Sequence, residues 1–326
     1  VLRHGGHIAE IFHKAAGVNP LWTPPWPTIE PSQFDRSHAA TYGDGADGRL
    51  LAGIMGHNLC LDIFGPPSDA EAQAGLTAHG EGSVAAYDLE VSGRSIVASA
   101  RFPIAGLDFR RDIEPGDGVV AIRERLANVG GRERVIGWTQ HVTLGPPFLV
   151  RGSTQFRASA TRSRVFESAF GADDYLRAGA DFDWPWAPTV SGNSADMQLF
   201  TNRERSSAYT THLMDQDQEA AYFVAFAPEF QLTFGYVWKP GEFPWMGIWE
   251  ENHSRLSQPW AGRTLTRGME FGVSPMPETR EAMIARDRMF GMPCFRRIAA
   301  GETIDVEYYV VMRRADAIPE SLKWPA

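Results

Sequence analysis

Apolar and polar residues alternate along much of the chain, most clearly over residues 119–142. Val120, Ile122 and Leu126 fall on one side and Arg123 and Arg125 on the other, the period-two signature of a half-buried strand. Asn128, Val129, Gly130 and Gly131 then offer residues that tolerate a positive φ, and a second apolar run returns over 135–142. The stretch predicts a β-hairpin that delivers His141 near the end of its second strand, before the breaker Gly145-Pro146-Pro147. Short alternating runs over 89–126, cut by Ser92-Gly93 and by 115–118 (Pro-Gly-Asp-Gly), predict an antiparallel meander. Further strands are predicted at 155–166, 197–201, 207–214, 220–226 and 231–238, with a closing strand at 304–312. Helical signals are sparse: one turn at 68–74 capped by Ser68 or Asp69, and one full helix over 277–290 with a proline at its start. No repeat and no compositional break divides the chain. The expectation is an all-β, mainly antiparallel fold with few short helices, one domain over 1–326.

Composition narrows the function more than the fold. The 326 residues are 43% hydrophobic and 22% charged, as in an ordinary globular protein, and no apolar run is long enough to cross a bilayer as a helix. With 31 basic and 40 acidic residues the formal charge is −9, which argues against a nucleic-acid or anionic-membrane surface. Two cysteines, Cys60 and Cys294, give neither a disulfide framework nor a thiolate metal cluster. The sequence opens on Val1 without a charged-then-apolar leader, so a cytoplasmic location is expected, with a mature periplasmic or secreted form left open.

Aromatic residues change the picture. Ten Trp, eight Tyr and nineteen Phe include many beside Pro or Gly, above all in the 237–260 stretch VWKPGEFPWMGIWEENHSRLSQPW. Flat apolar rings beside polar neighbours suit a polyhydroxylated ligand, whose C–H faces stack while its hydroxyls find partners. Trp238, Trp245, Trp249 and Trp260 are core or lid residues by default, at least one of them expected at a pocket. His79 lies next to Gly80, Glu81 and Gly82, where flanking glycines would let the backbone approach a ligand. Arg3 could bind a sugar hydroxyl or an acidic substituent, or be a strand-edge residue. A metal site among His4, His7, His57, His79 and His141 finds no support in their spacing.

With these residues in place, the chain resembles the aldose 1-epimerase (galactose mutarotase-like) family nearly end to end. The opening GGHIAEI with NPLW resembles that family's first hairpin, and His79-Gly80-Glu81-Gly82 its first histidine motif. Asn128 to His141 is similar to its asparagine turn and second histidine, Glu270 in GMEFG to its late glutamate, and AAGETIDVEYYVVM to its closing turn and strand. The chain departs from the pattern after His141, where it continues Val142-Thr143-Leu144, and after Glu270, where Phe271-Gly272 stands instead of a proline. For the family's mid-chain aspartate, Asp196 and Asp215 are candidates.

The resemblance implies a β-supersandwich and a mutarotase acting on a hexose or related sugar. Glu270 would be the base that takes the anomeric proton, His141 the acid that protonates the ring oxygen, and His79 a hydrogen-bonding partner to that oxygen or a nearby hydroxyl. Trp249, Trp245, Glu251, Glu81 and Arg3 are the candidate substrate contacts, with Glu250 and Glu251 as alternative bases. The chemistry needs no metal or organic cofactor, and the expected partner is a small carbohydrate, bound by a monomer or homodimer. Two other readings stand beside it: a non-catalytic carbohydrate-binding protein of the same fold, and lyase chemistry using Tyr87 or Tyr209 with an arginine. In the blandest reading Glu270 merely pairs with Arg267 or Arg263 on the surface.

Overall fold

The computed structural model describes residues 1–325 and shows two eight-stranded, antiparallel sheets packed face to face. The site sheet runs His57–Asp62, Arg134–Leu144, Leu265–Gly272, Trp245–Asn252, Ser206–Met214, Ala160–Val165 and Asp181–Asp183, with Arg296–Ile298 also pairing onto Arg134–Leu144. The back sheet runs Asp88–Ser92, Ser95–Phe102, Leu107–Pro115, Val119–Asn128, Thr303–Arg314, Leu232–Trp238, Ala221–Ala227 and Gln155–Ala158. Helices are few and short, so the expected all-β class holds.

The inner faces of both sheets make one continuous core. Ile136, Trp138, Val142 and Leu144 meet Met269 and Phe271 of the neighbouring strand, and Ile122, Leu126, Phe234, Tyr236 and Tyr308 of the back sheet. Trp238 stacks on Phe271 with ring centroids 4.2 Å apart. The other face of the site sheet is also buried, under loops and short helices from 22–54 and 276–295, which bring Trp22, Trp26, Leu50, Leu51 and Ile54 onto Cys60, Tyr209, Trp245 and Trp249. Strands buried on both faces lose the clean apolar–polar alternation, which is why 245–252 and 265–272 read poorly as strands.

Several sequence expectations need correction. Val119–Asn128 and Arg134–Leu144 are both strands, but they do not pair as a hairpin: the first lies in the back sheet between Leu107–Pro115 and Thr303–Arg314, the second in the site sheet. The Asn128 turn is a crossover between sheets, fixed by Asn128, whose side chain accepts from Gly130 N and donates to the Arg132 and Ile298 carbonyls. The run 155–166 likewise splits at Ser159, where the chain leaves the back sheet and enters the site sheet. The expected strand at 197–201 is irregular; its neighbour Ser194–Asp196 pairs with Trp186–Pro188 instead. The helix at 277–290 is confined to Arg280–Arg286, capped by Thr279 and stopped by Asp287 at φ 52°. The short helix near 68–74 forms as Asp69–Gln73, with Ser68 and Glu71 in a reciprocal capping box.

Candidate functional site

Strand alternation decides which side chains reach the outer face of the site sheet. On Arg134–Leu144 the core takes Ile136, Trp138 and Val142, so His141 and Thr143 face the other way. On Leu265–Gly272 the core takes Met269 and Phe271, which turns Glu270 outward beside them. The register that pairs Gly268 with Thr143 and Phe271 with Gln140 sets Glu270 opposite His141. The side chains meet, His141 Nε2 lying 3.0 Å from Glu270 Oε1. Gly268 makes room for this: a Cβ there would come 2.8 Å from Glu270 Oε1 and 3.2 Å from the Trp249 Cβ.

These two residues line a cavity of about 340 Å³, within the range of small-ligand sites. Its walls include Leu50, Phe64, His79, Phe170, Tyr209, Trp249, Arg255 and Trp260. The His141 ring lies 5.5 Å from that of His79 and 5.7 Å from that of Trp249, and Phe64 stacks on His79 at 5.6 Å. His79 adopts φ 64°, a left-handed conformation that costs a non-glycine residue roughly 1–2 kcal/mol and is typical of functional positions. Its backbone is held by Gly65 O and by the Leu61 amide. Burial, with help from His141 and Arg255, pulls the His79 pKa down to about 3, so the ring is neutral at physiological pH. The glycines beside it serve the fold: a Cβ on Gly80 would strike the Leu61 carbonyl, and one on Gly82 would lie 2.9 Å from Leu59 O.

The polar atoms of this cavity are incompletely used. Glu270 Oε2, His79 Nδ1 and Trp249 Nε1 are buried without a hydrogen-bond partner. Such groups cost about 1–3 kcal/mol each when left unpaired, so a ligand or solvent that satisfies them is favoured. His141 Nδ1 lies 3.0 Å from Thr143 Oγ1. With both ring nitrogens protonated, Nδ1 donates to the Thr143 hydroxyl and Nε2 donates toward Glu270. The arrangement can give up a proton at one atom and receive one at another only a hydrogen bond away.

The remaining sequence candidates fall elsewhere. Trp245 is fully buried, donates to Pro293 O at 2.8 Å and packs near Phe290 outside the cavity wall. Glu81 accepts from the Ala105 amide at 2.8 Å, and burial raises its pKa. Arg3 and Asp196 are exposed, Asp215 is half-buried, and all three lie away from the cavity. Glu250 faces the core, bonded to Ser206 and 3.4 Å from Tyr175 Oη. Glu251 is buried just behind the cavity, accepting the Ser254 and Arg255 amides at 2.7 and 2.9 Å. The pairing of Glu270 with Arg267 or Arg263 does not form, since alternation sends Arg267 to the core face, where its Nη2 donates to Met197 O. Arg255, Asp47 and Phe170 line the cavity without having been singled out by sequence; only the position of Arg255, four residues after Glu251 in the tryptophan-rich stretch, hinted at a partnership. Among the described residues no three His, Cys, Asp or Glu side chains are grouped to hold a metal ion, and no helix is long and apolar enough to cross a membrane.

Structural comparison places the packed sheets in a known architecture. A galactose mutarotase related enzyme from Lactobacillus acidophilus superposes over 97% of this chain and 95% of its own, with a TM-score of 0.59 at 11% identity. The fold is galactose mutarotase-like. A Klebsiella pneumoniae protein provisionally named an aldose 1-epimerase matches with a TM-score of 0.66 at 14% identity, covering 92% of this chain and 73% of that one. A galactose mutarotase-like protein from Clostridium acetobutylicum matches at 0.57 and 13% identity over 95% and 90%. No protein-family model matches the sequence. No curated protein matches it at the sequence level either.

Proposed function

We propose that the protein is an aldose 1-epimerase-type isomerase that interconverts the anomers of a hexose or related sugar, the whole chain acting as one carbohydrate-active unit. The observation that carries this reading is the His141–Glu270 contact of 3.0 Å at the floor of an aromatic-walled cavity. Ring opening removes the proton from the anomeric hydroxyl while the ring oxygen is protonated. Both oxygens are bonded to the same carbon, so an acid and a base that touch each other are spaced to reach both. The Glu270 carboxylate takes the anomeric proton while the His141 imidazolium gives its Nε2 proton to the ring oxygen and becomes a neutral imidazole; rotation about the C1–C2 bond and the reverse transfers close the ring from either face. His79, held neutral, is suited to a neutral hydrogen bond to the ring oxygen or a neighbouring hydroxyl. The Trp249 and Trp260 rings offer flat surfaces for the sugar's C–H faces. The names of the Lactobacillus and Klebsiella neighbours agree with this chemistry.

The test is the rate of anomer interconversion of freshly dissolved α-glucose and α-galactose, followed by polarimetry or proton NMR. Acceleration by the wild type that is lost in Glu270→Gln and His141→Asn supports the reading. Acceleration that survives Glu270→Gln sinks this assignment of the base, and none with any aldose, alongside calorimetric binding, replaces catalysis with carbohydrate binding.

A further inference from the structure

The cavity wall carries one cation whose charge the fold leaves under-used. Arg255 lies in the loop between the strands Trp245–Asn252 and Leu265–Gly272, with its guanidinium carbon 4.8 Å from the Trp260 ring centre and 5.7 Å from those of Trp249 and Phe170. Its closest approach to a carboxylate is Nε to Glu251 Oε2 at 3.4 Å. The contact is an ion pair without a hydrogen bond, since Glu251 Oε2 has no hydrogen-bond partner while Oε1 accepts the Ser254 and Arg255 amides. About a third of the Arg255 side chain's surface, 32%, is open, and the residue lines the cavity.

The loop around it is built to keep that position. His253 takes φ 55° and Ala261 φ 47°, and the loop is tied by His253 Nδ1 to Gly262 O at 2.9 Å and by the Gly262 amide to Arg255 O at 2.8 Å. Burial lowers the Arg255 pKa, Glu251, Asp47 and Asp174 opposing that shift only in part. A guanidinium kept in a partly apolar cavity with spare donors is the usual recognition element for a carboxylate or phosphate, which it can bind bidentately. The facing aromatic rings exclude water around such a contact and strengthen it.

We infer that Arg255 selects sugars bearing an anionic substituent, a carboxylate or a phosphate, which it binds at the cavity wall while the ring lies over His141 and Glu270. The inference rests on the sugar-site reading above and names its substrate class. Galactose, galacturonate and galactose 6-phosphate, titrated calorimetrically into the wild type, Arg255→Gln and Arg255→Lys, separate the alternatives without needing turnover. The wild type binds at least one acidic sugar about 10- to 100-fold tighter than galactose, the range expected for a charge-assisted pair. Which acidic sugar wins tells carboxylate from phosphate. Arg255→Gln brings the three within about threefold of one another, and Arg255→Lys, which keeps the charge, retains part of the preference. Equal affinities in the wild type, no heat with either acidic sugar, or an equal loss for all three sugars in Arg255→Gln would overturn the proposal. An acidic preference without anomer interconversion would keep the Arg255 site and remove the mutarotase reading; interconversion without the preference would do the reverse.

Discussion

The strand Arg134–Leu144 has two faces that solve opposite problems with similar residues. On the core side Gln140 joins a closed network: its Oε1 takes Arg111 Nη2 at 3.0 Å and lies 2.9 Å from His57 Nε2, and its Nε2 donates to Glu124 Oε2 at 2.7 Å. Arg111 Nε and Tyr308 Oη each reach Glu124 Oε1 at 2.7 Å, and His57 Nδ1 meets Tyr236 Oη at 3.0 Å. One residue along, on the other face, His141 meets Glu270, whose second oxygen has no partner, as have His79 Nδ1 and Trp249 Nε1. Both faces hold a buried carboxylate and histidine. The core network spends its hydrogen-bonding capacity on itself and ties the sheets together; the outer group keeps some in reserve for a ligand.

The largest expected effect breaks this contrast in activity. Glu270→Gln and His141→Asn should each lower the anomer interconversion rate about 10²–10⁴-fold, since each removes one half of the proton transfer. Neither should unfold the protein, because Gln and Asn keep most of the shape and polarity; circular dichroism against temperature checks that. On the core side the balance inverts. Arg111→Ala leaves the Glu124 carboxylate buried without its ion pair, at a cost of about 3–5 kcal/mol in chemical denaturation, and it affects the rate of the remaining folded protein far less. An Arg111→Ala protein as stable as wild type would remove the network from the fold's support.

Acid separates the two faces next. Burial lowers the pKa of His7 to about 4, of His79 and His212 to about 3, and of His57 well below its usual value. In the unfolded chain each takes up a proton near pH 6.5, so below that pH the unfolded state binds more protons and stability is lost, by roughly 1–2 kcal/mol per pH unit for each histidine. Glu81, Glu250 and Glu251, raised by burial, act in the opposite sense just above pH 4.5, where the folded state takes up protons first. Stability measured by denaturant titration should therefore be flat above about pH 7 and fall steeply from 6.5 toward 5. Three of these histidines lie outside the cavity, so His212→Gln, which can still meet Ser163 and Thr210, should blunt the fall without touching the sugar site.

How much of this was legible follows from which interactions are local. Strands with one exposed face, such as Val119–Asn128 and Thr303–Arg314, announced themselves by alternation. His141, His79 and Glu270 were singled out through motif resemblance, and all three line one cavity. The crossover after Asn128 was not legible, because a positive-φ turn looks the same whether the next strand pairs back or leaves for another sheet; partner choice is set by distant residues. Trp245 was read with Trp249 because both sit in the same aromatic run, and both indeed occupy one face. Four residues along a twisted strand separate a cavity wall from a packed core. Arg255 was missed because a lone arginine in a loop carries no pattern until Glu251, Trp249 and Trp260 surround it.

The smallest effect sharpens the comparison most. Thr143 stands two residues after His141 on the same face, its hydroxyl 3.0 Å from Nδ1. Core-face neighbours such as Gln140 are each fixed by several partners, whereas His141 is oriented by Thr143 on one nitrogen and Glu270 on the other. Thr143→Val keeps the shape and the strand's backbone bonds to Gly56 and Trp22 while deleting the hydroxyl. One neutral hydrogen bond is worth about 0.5–1.5 kcal/mol, so the rate should fall only a few- to about tenfold. A structural role alone would lower the melting temperature and leave the pH dependence of the rate in place. A positioning role moves the acidic and basic limbs of that profile, because the Thr143 hydroxyl accepts from Nδ1 of the protonated ring and its loss disfavours the form that donates from Nε2. An unchanged profile would mean that Glu270 alone orients the ring, and that the outer face holds its histidine by a carboxylate where the core holds His57 by the Gln140 amide and the Tyr236 hydroxyl.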